Sequence, residues 1–320
     1  DNFYDLNKVS NILDLDNYTD GDKSVFTING KLNAIPISNT GRVFCWNKTT
    51  FDKIGVEIPT TLDELLAAGK AFEAYDESYY PMVTKELDRA FLMVYYLQCK
   101  YGKDWVKDGA LQYSQEEIAE GFDFLKNLED NHVIPTLQKV AGDGADLIDT
   151  NANWIDGHYA GIFLYDTSVV KHAEAVKDGE FVIGDYIKMG DYHGGFIKVN
   201  QAFGISATTE HPAEAAALIQ FLVADEDGVK TLGDTRGVPA NKAGFSMLDL
   251  SGSQVAEANA KVMEWSSFQM DPTFERSSFT GADGTFFNAL QLSSYGESDS
   301  MSCAQIVMDG VAKELAASGS

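Results

Sequence analysis

Apolar residues recur along this chain with two periods, one helical and one extended, and the two alternate from end to end. Leu6, Val9, Leu13 and Tyr18 fall at roughly helical spacing ahead of the turn-forming run Asp20-Gly21-Asp22. Residues 25–28, then Asn29-Gly30, then 32–37 predict a hairpin, because Asn-Gly supplies the positive φ values of a two-residue turn. Residues 42–46 form a further β-rich run. Thr61 can cap a helix and Glu64 can close its capping box, with Leu65, Ala68 and Phe72 continuing one apolar face. Residues 114–131 repeat the pattern: Ile118, Phe122, Leu125 and Leu128 share a stripe, while Glu116, Glu117, Glu120 and Glu129 lie outside it. Pro212 opens another helix carrying Ala215, Ile219 and Leu222 inward, and residues 302–316 bury Val307, Val311 and Leu315 in the last. Between them, residues 159–164, 181–183 and 196–205 are apolar and β-rich. Strands alternating with helices predict an α/β fold with sheets covered on both faces. Residues 140–153, rich in Gly, Asp and Asn, predict a loop.

With 320 residues and 44% hydrophobic side chains the chain can bury a large core, divided at this length into two compact units. Its net charge of -25 argues against a nucleic-acid partner, whose phosphates must be neutralised by cations, and against an anionic membrane surface. Cys45, Cys99 and Cys303 are widely spaced and odd in number, so they suit neither a metal clip nor a disulfide framework and read as small buried hydrophobes. No stretch reaches the ~18 apolar residues of a membrane span. Asp1-Asn2-Phe3-Tyr4-Asp5 lacks the character of a signal peptide, so the chain is either intracellular or shorn of its start.

Nucleotide-binding, zincin, serine-esterase and CxxC motifs are absent; Gly142-Asp143-Gly144 is followed by Leu147 where the dinucleotide fingerprint needs glycine. The five histidines are scattered and read as surface or satisfied residues. Asp14, Asp16, Asp20 and Asp22 mimic a calcium loop, but Tyr18 and Thr27 occupy coordinating places. No metal or cofactor is expected. Among 49 acidic residues no pair stands out as the two carboxylates of a glycosidase.

Asn29-Gly30-Lys31-Leu32-Asn33-Ala34-Ile35-Pro36, then Val43-Phe44-Cys45-Trp46-Asn47-Lys48, then Ile54 through Pro59-Thr60-Thr61-Leu62-Asp63-Glu64-Leu65 resembles the extracellular solute-binding proteins, family 1, of ABC-type sugar importers, a group that includes maltose-binding proteins. Trp154-Ile155-Asp156-Gly157-His158-Tyr159-Ala160-Gly161-Ile162 matches a second family segment. Gly194-Gly195-Phe196 through Phe203-Gly204-Ile205-Ser206 matches a third, and Gly237-Val238-Pro239-Ala240 after the Pro212 helix a fourth. The likeness runs from about residue 6 to residue 315. It departs at Leu62, where Trp is commoner, and at Gly161, where Met is usual; both read as packing changes. Family members also carry a further strand-helix-strand-helix unit and a secretion or lipoprotein signal ahead of this sequence, so the resemblance implies a first lobe shortened at its N-terminal side.

The resemblance implies a two-lobe periplasmic-binding-protein type II-like α/β fold with a hinge and an interlobe ligand cleft. Its lobes would be residues 1–40 with 206–247 and residues 41–205 with 248–320, with crossings near 39–41, 200–206 and 245–250. It implies a monomeric, non-enzymatic carrier that closes on an oligosaccharide and delivers it to ABC permease subunits, extracellular or periplasmic and lipid-anchored. The positions matching the family's cleft loops are Asn39, Thr40, Arg42, Tyr79, Tyr80, Tyr165, Asp166, His193, Gly194, Gly195, Arg236, Asp283, Phe286 and Phe287. They supply the aromatic platforms and paired polar groups a sugar needs. Each also has a structural reading. One of Phe286 and Phe287 belongs to the core and the other faces ligand, and Arg42 and Arg236 serve either ligand or ion pairs. Trp46, Trp154 and Trp265 read as core, and Trp105 as a solvent-edge residue of a surface helix. The same fold with a cationic or other solute, and a carbohydrate-active hydrolase, are the alternatives.

Overall fold

A computed structural model describes residues 2–177 and 179–318. The chain divides into two compact units, Asp1–Gly41 with Ile197–Ala260 and Arg42–Phe196 with Lys261–Ser320. It therefore passes between them at 41/42, 196/197 and 260/261.

The smaller unit is organised on the Ile35–Thr40 strand, which pairs antiparallel with residues 198–203. Leu6, Leu13, Tyr18, Ile35, Ile205 and Ile219 form its core. The hairpin is two residues a side, Thr27–Ile28 against Lys31–Leu32, and Asn29 (φ 52°) and Gly30 (φ 76°) take the left-handed backbone its turn demands. The chain opens with two 3-10 segments, Leu6–Val9 and Leu15–Asn17, where one helix was expected. Asp5 and Asp14 cap them locally, and these short carboxylates divide the helical register. The run expected to turn is instead the helix Asp20–Ser24, because Thr19 and Asp22 complete a capping box. Pro212 is the first residue of the Pro212–Ala224 helix.

In the larger unit the Arg42–Asn47 strand is buried at every position, flanked antiparallel by Gly161–Tyr165 and Phe181–Ile183. Trp46 lies against Gly161, where any Cβ would also come within 2.6 Å of the Pro81 carbonyl oxygen; the absence of a side chain there is a packing requirement. The capped helices Leu62–Tyr75 and Gln115–Asp130 begin as expected, on Thr61 and Ser114.

A third helix, Glu86–Tyr101, is the least visible in the sequence. Its residues from Arg89 to Cys99 are nearly all buried, so no polar stripe reveals the period. Residues 140–153 are largely helical rather than loop: Leu137–Gly142, Ile148–Thr150 and Ala152–Ile155, the last capped by Asn151. Trp105 lies in the core rather than at a solvent edge. It is 3% exposed, before the tight hairpin of Val106–Lys107 and Ala110–Leu111, with its ring near Tyr113, Phe274 and Phe286. Its charged neighbour Lys103 is satisfied by Glu117, which leaves the indole free to turn inward.

Candidate functional site

In the smaller unit, three of the expected residues are drawn together by the Ile35–Thr40 strand. Asn39 donates from its amide to Asp22 at 2.9 Å, and its carbonyl accepts from Asn259 at 3.0 Å. Thr40 is buried. Ser38 and Asn200 both donate to the carbonyl of Arg236, which ties that exposed residue's backbone beside the strand. Arg236 thus has its main chain fixed while its guanidinium stays at the surface.

In the larger unit, Arg42, Tyr165 and Asp166 come together because Arg42 stands opposite Tyr165 in the strand register. Arg42 is 3% exposed, its guanidinium bonded to Asp88 and to the Phe163 carbonyl oxygen at 2.7 Å. It lies 4.8 Å from the Tyr165 ring centroid and 5.1 Å from that of Phe91. Such a pair is a desolvated cation framed by rings rather than a surface ion pair. Tyr165 is half-buried; burial pushes its phenol up to about 12, with Arg42 pulling the other way. Asp166 is buried and accepts from the Thr167 amide at 2.7 Å. Asp88 and Phe91 were not foreseen. Both lie on the largely buried helix that the periodicity concealed, and its start shows no side-chain cap: Lys85 has only donors to offer, and Asp88 accepts from the Lys85 amide at 3.0 Å.

Tyr79 and Tyr80 belong to a second group. Lys53 donates to the Tyr79 hydroxyl at 2.8 Å, His158 packs on the Tyr79 ring at 4.2 Å, and His132 stacks on Tyr80 at 3.9 Å. Phe286 is a core ring with zero exposure, near Trp105, Phe274 and Phe279, whereas Phe287 is half-buried and Asp283 exposed. The adjacent phenylalanines thus divide between core and surface, as neighbours on a helix must.

His193 stands apart from all of these, in a pocket of about 570 Å³ whose lining includes none of the other expected residues. Its imidazole stacks on Trp265 at 3.9 Å and 7°, and Trp265 stacks on Tyr186 at 5.3 Å and 3°. Trp265, read from the sequence as core, is only half-buried. Gly194 and Gly195 are buried and outside that lining, pressed on the Glu86–Tyr101 helix: a Cβ at Gly194 would sit 2.7 Å from the Tyr95 carbonyl oxygen and 2.8 Å from Cys99 Sγ, and Gly195 has φ 90°.

Comparison with known proteins decides the family. The model of the bacterial extracellular solute-binding protein family matches residues 1–247. The chain belongs to that family. A periplasmic solute-binding protein of Pectobacterium atrosepticum superposes with a TM-score of 0.91 at 31% identity, over 99% of this chain and 81% of that one. A periplasmic oligogalacturonide-binding protein of Yersinia enterocolitica, in complex with saturated digalacturonic acid, gives 0.87 at 31%, over 98% and 80%. A chain described as a de novo designed cysteine esterase gives 0.88 at 30%, over 99% and 80%. In this solute-binding protein Cys45, Cys99 and Cys303 are all buried, and burial pushes the thiols of Cys99 and Cys303 up, away from the exposed thiolate that a cysteine nucleophile requires. No helix among the described residues is long and apolar enough to cross a membrane.

Proposed function

We propose that this solute-binding protein takes up a carbohydrate, an oligosaccharide, and delivers it to an ABC importer without chemical change. The observation that carries the reading is the 31% identity, over nearly the whole chain, to a protein solved with digalacturonic acid. The residue types at the expected positions support it. Tyr165 and Tyr80 are half-buried rings, Asn39 and Asp166 are fixed hydrogen-bonding groups, and Arg42 holds the end of the strand opposite Tyr165. Ligand-driven closure, in which the sugar prefers the closed state, belongs to the same reading. Attachment to the cell surface by lipid, a monomeric state and docking to the permease subunits belong to the same proposal.

Heating the protein with a panel of neutral and acidic di- and oligosaccharides tests it. A sugar present at about a hundred times its Kd should stabilise the native state by about 2.7 kcal/mol. The Tyr165→Ala and Asp166→Asn variants should lose most of that gain. A folded protein whose melting temperature ignores every sugar would sink the assignment.

A further inference from the structure

The pocket beside His193 has a chemistry of its own. At about 570 Å³ it falls within the ~300–1,000 Å³ of small-ligand sites. Its wall is a column of three parallel rings, Tyr186, Trp265 and His193, with the exposed imidazole on Trp265. Flat aromatic faces of this kind take the C–H face of a pyranose.

The column is held in place before any ligand arrives. The Tyr186 hydroxyl donates to the Arg42 carbonyl oxygen at 2.6 Å, the Tyr192 amide donates to the Cys99 carbonyl oxygen at 3.0 Å, and the Gly195 amide donates to Gln98 Oε1 at 3.0 Å. The Lys188 amide donates to the Thr60 carbonyl oxygen at 2.8 Å, fixing that part of the lining to the start of the Leu62–Tyr75 helix. Binding there would order little that is not already ordered.

The rim is polar and balanced. Lys188 and Glu264 are exposed and take part in no ion pair among the described residues, while Lys261 and Asp185 bond each other at 2.6 Å. Two cations face two carboxylates in a chain of net charge -25, so the lining presents donors and acceptors without a dominant sign. An anion or a cation would find one half of this rim repulsive, whereas a neutral polyol can use both halves.

We propose that this pocket is a second carbohydrate site, binding one neutral sugar residue by stacking on the His193–Trp265 column and by hydroxyl contacts to Lys188 and Glu264. It is argued from its own residues and does not depend on which solute is transported.

Saturation-transfer NMR on the full chain tests it, with methyl α-glucopyranoside, methyl β-galactopyranoside and cellobiose as probes at low and high salt. Transfer to the ring C–H protons of at least one probe is expected, with an affinity that salt leaves unchanged. His193→Ala removes an exposed ring and should weaken that probe up to about tenfold, the order of one stacking contact. Trp265→Phe and Lys188→Ala serve as independent second variants should the first disturb folding. Absence of transfer from all three probes overturns the proposal, as does transfer that persists unchanged in all the folded variants, or an affinity that collapses with salt. Loss of oligosaccharide delivery with retained probe binding would count against the transport reading alone.

Discussion

At the scale of single residues, two arginines show how far burial reshapes charge in this protein. Arg89 and Glu129 bond at 2.5 Å with side chains only 2% and 3% exposed, and Arg89 also donates to the Pro135 carbonyl oxygen at 2.6 Å. Burial lowers the Arg89 pKa, and the carboxylate opposes that shift. Removing one partner of such a pair leaves a desolvated charge behind, so Glu129→Ala should cost about 3–5 kcal/mol in urea unfolding. A loss below 1 kcal/mol, of the order of an exposed pair, would mean that water reaches Arg89. Arg42 is held the same way by Asp88, and Asp88→Asn should weaken both stability and sugar affinity, the latter because Tyr165 rests against the guanidinium. Calorimetric titration of the folded variant separates the two effects.

At the scale of elements, local chemistry fixes where helices start, and packing fixes which buried stretches become helices. Thr61 accepts from the Glu64 amide at 3.3 Å while the Glu64 carboxylate accepts from the Thr61 amide at 3.1 Å. Thr61→Ala should destabilise the unit by about 1 kcal/mol. The Glu64 pKa is lowered, first by the Thr60 backbone amide, so the carboxylate contribution is present above the unfolded value of 4.5 and fades as pH falls through the folded one. The difference in stability between Glu64→Gln and the parent should therefore shrink on acidification; a difference that grows would contradict the box. These caps were legible because they need only neighbours in sequence. The Glu86–Tyr101 helix was not, because its surroundings are apolar on nearly every side and period disappears when no face meets water. Trp105 misled for the converse reason: its charged neighbours suggested solvent, and only the rings of Phe274 and Phe286, far away in sequence, draw it inward.

At the scale of the whole molecule, the buried phenols set an alkaline limit. Tyr18 and Tyr165 are each raised to about 12, above all by burial, from an ordinary value of 10.0. Between those values the folded chain keeps protons that the unfolded chain releases. Their contribution is complete below pH 10 and disappears as pH climbs through 12. Midpoints of urea unfolding should fall over that interval in step with tyrosinate absorbance, and Tyr18→Phe should flatten the fall. A midpoint that holds steady to pH 12 would show that these hydroxyls ionise without hindrance.

The order of motifs along the chain determined the family, because glycine turns, caps and strand runs are local requirements that one sequence states directly. It also determined the residue types offered for sugar binding. The tertiary structure alone decided which of them meet. Arg42 finds Asp88 and Tyr165, Phe286 goes to the core while Phe287 stays near the surface, and His193 is removed from the others to a column with Trp265 and Tyr186. The reason is physical. Stacking, burial and ion pairing depend on which distant segments pack together, and that information resides in contacts rather than in the spacing of residues along a strand or helix.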